Sequence, residues 1–188
     1  MPHRGVDLDD DRNRGVLDLL RPPRLITAMV TARLIKAYRG RPPADLAAQV
    51  ARIMSRPSGA DTPASQPLSA VADPLYGLGT HPDLIERLWA LNKTLPADCR
   101  WVVFGFPALV TPSSGVIFGF ARGTLGYALR LTEECQGEAA HLSATPRRSG
   151  LDLSKLGSDW SLGKWHDREA DWCRAAYDRS ARFSHAYR

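Results

Sequence analysis

The densest group of side chains able to bind a metal or move a proton is His166, Asp167, Glu169, Asp171 and Cys173. A zinc site needs three or four converging nitrogen, sulfur or oxygen ligands, usually with two of them a helical turn apart. His166 and Cys173 are seven residues apart, on a similar side of a helix, but no Cys-x-x-Cys or His-x-x-x-His pair accompanies them. A third ligand would have to come from Cys99, Cys135 or His141. No metal is expected here, and the acids read better as charges at the start of a helix.

Nucleophilic catalysis needs a serine or cysteine beside a base that a third group orients. Ser113-Ser114-Gly115 lies on a turn beside a strand but lacks the Gly-x-Ser-x-Gly pattern of a nucleophile elbow. Cys173 with His166 or His185 is the other pairing, and a cysteine on an apolar helix face is ordinarily a small core residue. Glycine-rich phosphate loops are missing too. Gly77-Leu78-Gly79 precedes a helix, yet Pro82 removes one of the amides that would meet an anion. No cofactor is expected, and the balance falls against an enzyme.

Tryptophan is concentrated instead. Trp160, Trp165 and Trp172 fall within thirteen positions, and tryptophans with charged neighbours are enriched in binding hot spots. Trp165, beside His166, is expected to stay exposed while the others complete a core. The candidate binding residues are Trp165, His166, Trp160, Asp159, Arg122 and Arg130.

These residues need elements to hold them. Pro82 and Asp83 mark a helix start, and Leu84, Ile85, Leu88, Trp89 and Leu95 give it an apolar face that Pro96 ends. Strands are expected over 101–106, 108–110, 116–120 and 125–131, joined by turns rich in glycine, proline and serine. A second hairpin over 139–145 and 151–153, a loop with aromatic anchors over 157–165, and a helix over 167–183 follow. That last helix carries acids first and arginines later, which suits its dipole.

A four-residue loop over 121–124 would set Phe120 against Leu125, Gly119 against Gly126 and Phe118 against Tyr127. Val116, Phe118 and Phe120 would then share a dense face with Leu125, Tyr127 and Leu129. The opposite face would be thin, with Gly119 and Gly126 in it and Gly105 in the first strand as a third candidate. Glycine within strands marks close packing or a ligand groove.

The chain divides by composition. Residues 1–56 read as a basic helical extension, with helices over 24–38 and 43–54. Residues 57–74, rich in proline and serine, read as a flexible linker. Residues 75–188 read as an α+β domain, a small antiparallel meander of three to five strands packed with two or three helices. Residues 1–58 hold eleven Lys and Arg against six Asp and Glu, so the whole net charge of +5 lies there. Three well-separated cysteines and no secretory signal suggest reduced thiols and a cytoplasmic protein without a transmembrane segment.

The expected function is a non-catalytic protein-interaction module of adaptor, inhibitor or immunity type, whose partner is another protein. One alternative is a small hydrolase or transferase with a pocket on the glycine-bearing face, near Arg122, Arg130, Asp159 and His166. A second is binding of nucleic acid or an anionic membrane surface through Arg24, Arg33, Lys36 and Arg39.

Overall fold

Six short strands pair in the order in which the chain makes them, so the sheet is an antiparallel meander from one edge to the other. The computed structural model describes residues 5–21, 65–70, 80–142 and 151–183. The helices expected over 24–38 and 43–54, with Arg24, Arg33, Lys36 and Arg39, lie outside the described residues.

In chain order the elements are α1 (Asp11–Leu20), β1 (Ser65–Pro67), α2 (Pro82–Leu91), β2 (Arg100–Val103), β3 (Phe106–Val110), β4 (Ile117–Arg122), β5 (Gly126–Arg130), α3 (Glu133–His141), β6 (Trp160–Leu162) and α4 (Glu169–Arg182). The expected α+β architecture holds, with six strands and four α-helices among the described residues. His81 caps α2, its Nδ1 accepting from the Asp83 amide at 3.3 Å, and Pro82 fills a first-turn position.

Both faces of the sheet are covered. One core joins α2 and α4 to Leu109, Phe118, Tyr127 and Leu129. The other joins α1 and Trp160 to Val110, Ile117, Phe120 and Ala128. The expected thin face is therefore absent. Its premise fails at the register: Phe120 pairs with Ala128, Gly119 with Leu129 and Arg122 with Gly126, so the β4–β5 loop is residues 123–125.

A β-bulge between β3 and β4 also breaks the expected alternation of faces along β4. Leu109 pairs with Gly119 but Val110 pairs with Ile117, which leaves Phe118 as the extra residue. Phe118 still shares a core with Tyr127, whereas Phe120 turns to the opposite one against Trp160. Gly119 lies on the Phe118 side, and a β-carbon there would come within 3.0 Å of Leu109 and 3.1 Å of Leu129. Its role is close packing between two leucines. Gly105 sits in the β2–β3 turn at φ 83°, outside any strand.

The N-terminal residues join this fold. Val16, Leu17 and Leu20 of α1 enter the second core. Asn13, fully buried, donates to the carbonyls of Asp7 (2.7 Å) and Gly115 (2.8 Å) and accepts from the Ile117 amide (2.8 Å). Residues 65–67, within the expected linker, pair as β1 with the free edge of β2, since backbone pairing asks little of the side chains.

The second hairpin expected after residue 139 is corrected. Residues 133–141 are α3, capped by Thr132, whose hydroxyl accepts from the Cys135 amide at 3.3 Å. Residues 160–162, expected as loop, pair with β5 as the edge strand β6. Among the described residues, no helix is long and apolar enough to cross a membrane.

Candidate functional site

Glu169 begins α4, and its side chain is 1% exposed. A carboxylate that deep must be paired and hydrogen-bonded to remain charged. Its Oε2 accepts from the Arg87 guanidinium of α2 and from the Tyr127 hydroxyl of β5, both at 2.6 Å. Its Oε1 accepts from the Lys164 amide at 2.5 Å. Three segments distant in sequence thus meet on one carboxylate.

The group clamps the loop over 163–168. Arg87 also donates to the His166 carbonyl at 2.7 Å, and the Trp165 amide donates to the Tyr127 hydroxyl at 3.2 Å. Gly163 packs flat on the Tyr127 ring, where any β-carbon would overlap it. Trp165 results as a fixed protrusion, 42% exposed, edge-on to Tyr127 at 5.6 Å and under the Arg87 guanidinium at 5.7 Å. His166 stacks on Trp172 at 6.2 Å, and the Trp172 indole donates to Glu138 at 2.7 Å, tying α3 to α4.

The Tyr127 phenol titrates above its ordinary value of 10.0, because burial and then the Glu169 charge oppose its ionisation. Arg87 is raised above the usual guanidinium value: burial pulls it down, but its hydrogen bonds to Glu169 and Tyr127 outweigh that. A raised phenol favours folding below pH 10.0, and that contribution disappears as pH climbs past it. Wild type is expected to lose stability above that pH more steeply than Tyr127→Phe, measured by denaturant midpoints across the alkaline range. Parallel curves would remove Tyr127 from the clamp.

The six candidate binding residues fall in three places. Trp165 and His166 share the clamped loop. Arg130 and Asp159 form an ion pair at 2.6 Å, with Arg130 over the Trp160 ring at 5.8 Å and Arg179 a further 3.5 Å partner of Asp159. Arg122 stands at the far end of β4–β5, over Phe106 at 6.0 Å, its pKa lowered by burial. The cluster expected from Arg122, Arg130, Asp159 and His166 therefore reduces to one pair, because residues 122 and 130 end opposite strands of one hairpin. An open cleft of about 360 Å³ beside α1 has Arg130 and Trp160 in its wall. Its rim mixes Asp11 and Asp18 with Arg14 and Lys155, so it selects no charge.

Sequence reasoning missed Arg87, Tyr127 and the true place of Glu169. They lie at 87, 127 and 169, with no spacing to connect them, and Glu169 alone resembled an ordinary first-turn acid.

The chain is similar to dolichol-phosphate mannosyltransferase subunit 3 of Bos taurus, 32% identical over 68 residues, which is 36% of this chain and 71% of that relative. The Homo sapiens protein of the same description is 31% identical over 68 residues, again 36% and 71%. No family model and no solved structure matches. These relatives correct the expected function. Both are named as subunits of an enzyme, a dolichol-phosphate mannosyltransferase. Neither the cytoplasmic adaptor, inhibitor or immunity module, nor the small hydrolase or nucleic-acid binder set beside it, stands against that kinship.

Proposed function

Since this chain belongs to the dolichol-phosphate mannosyltransferase subunit 3 family, we propose that it serves as a subunit of such an enzyme and grips a second subunit with its Trp165 loop. The kinship over 71% of the relatives' length carries the first half of this reading. The second half rests on the exposed indole and the buried clamp behind it. A rigid tryptophan beside an arginine loses little conformational freedom on binding, which is why such residues dominate interfaces.

The full chain, tagged and purified from its own membranes in mild detergent, is expected to bring down activity that transfers mannose to dolichol phosphate. Trp165→Ala should lower the recovered activity by about tenfold or more. Membranes lacking the chain should transfer mannose poorly. Undiminished transfer without it would end the subunit reading, and full recovery with Trp165→Ala would end the role given to the loop.

A further inference from the structure

Buried hydrogen-bond donors almost always have an acceptor, because solvent cannot reach them to supply one. Two buried donors at the end of α2 have none among the described residues: the Trp89 indole Nε1 and the Asn92 side-chain Nδ2. Asn92 is fully buried and follows the last residue of the helix. Standing three apart, residues 89 and 92 are neighbours on one helical face. Arg100, the first residue of β2, touches both. Its Nε donates to Asn92 Oδ1 at 3.3 Å, and its guanidinium lies over the Trp89 ring at 5.6 Å. That bond fixes the amide, since the flipped form would set two donors face to face.

The cluster holds more donors than acceptors. The Ala90 and Asn92 carbonyls at this helix end are already taken by the Lys93 and Leu95 amides, at 3.3 and 2.9 Å. Arg87 and Arg130 each have a carboxylate partner at 2.6 Å. Arg100 is half-buried and has no such partner among the described residues. Water would answer the donors but not the charge. One carboxylate answers both, with two oxygens for the N–H groups and one negative charge for one positive. A phosphate dianion would bring a second charge with nothing to meet it.

We propose that Trp89, Asn92 and Arg100 form a binding site for a single carboxylate. Arg100 presents its two terminal nitrogens to the carboxylate oxygens, and the Asn92 amide and Trp89 indole donate from behind. Both of those donors are closed off from solvent, so the half-buried Arg100 side chain moves outward to admit the ligand. The carboxylate belongs to a small organic acid or to an acidic residue of another subunit. The site shares no residue with the Trp165 loop and does not depend on docking there.

Isotope-labelled full-length protein is titrated with sodium acetate, against sodium chloride at equal ionic strength, and followed by nuclear magnetic resonance. Acetate should shift the Trp89 indole and Asn92 side-chain amide resonances with one common dissociation constant. At about ten times that constant it should raise the thermal midpoint by roughly 3–6 °C. Arg100→Gln should weaken acetate about tenfold or more, while Trp165→Ala should bind it as wild type does. Asn92→Asp builds a carboxylate into the cluster. Its midpoint without acetate should equal or exceed that of wild type, and acetate should no longer raise it. Acetate that moves neither resonance nor midpoint beyond chloride leaves the donors to ordered water and overturns the proposal. So does Arg100→Gln protein that binds acetate as wild type, or inorganic phosphate that binds more tightly than acetate. Recovery of mannosyltransferase activity in detergent separates the two sources. Arg100→Gln lowers it where the acid belongs to a second subunit and leaves it unchanged where the acid is a free ligand.

Discussion

Glu169→Gln is expected to destabilise the protein by about 3 kcal/mol, the lower end of the cost of stripping one partner from a buried ion pair. The lower end applies because the Arg87 side chain keeps 20% of its exposure, so water relieves part of its stranded charge. The amide still accepts one or two of the three hydrogen bonds, but it offers Arg87 no counter-charge. In a protein of this size the thermal midpoint should fall by roughly 6–12 °C. Denaturant unfolding of wild type, Glu169→Gln, Arg87→Met and the double variant forms a cycle. The double variant should be more stable than Glu169→Gln, because removing both charges leaves none unpaired. A loss within about 0.5 kcal/mol for Glu169→Gln, the range of an ordinary surface change, would mean that the clamp does not hold the fold.

Gly163→Ala should be nearly as damaging, at about 3 kcal/mol, the upper end of what overpacking usually costs. The alanine methyl would overlap the Tyr127 ring. That ring is 1% exposed and its hydroxyl is held by Glu169 at 2.6 Å and by the Trp165 amide at 3.2 Å, so it cannot step aside. The backbone must yield instead, and the Gly163 amide would lose its 2.8 Å bond to the Tyr127 carbonyl. Because Trp165 follows two residues on, its fluorescence should shift together with the loss of stability. An alanine variant with wild-type stability and emission would contradict the close packing of this loop on β5.

How far the sequence carried these conclusions differs by element. The Pro82 helix announced itself through proline, acid and apolar spacing, and it forms as Pro82–Leu91. The break between β2 and β3 falls at Phe104-Gly105, inside the strand expected over 101–106, whereas β4 and β5 were legible from their β-formers and turn. Their register was not. Every residue of β4 up to Ala121 is buried, so its side chains are apolar or absent on both faces and alternation carries no direction. The bulge at Phe118 then reverses whatever alternation remains. The α3 helix buries only Cys135 and Ala139, too few to make a stripe. Trp165 was expected to be exposed and is, yet the clamp behind it depends on three side chains that only the folded chain brings together.

Strand order that repeats chain order bears on how the molecule assembles. From β2 to β5 each strand meets its predecessor across a turn of a few residues, so closing each loop forfeits little chain entropy and the four can zip in sequence. β6 must wait for residues 131–159, which carry α3, and α1 reaches β4 from about a hundred positions away. The slow steps are therefore the ones that lay the outer strand and the N-terminal helix in place. Because the Trp165 loop follows β6, the docking surface proposed for this protein is among the last parts of it to form.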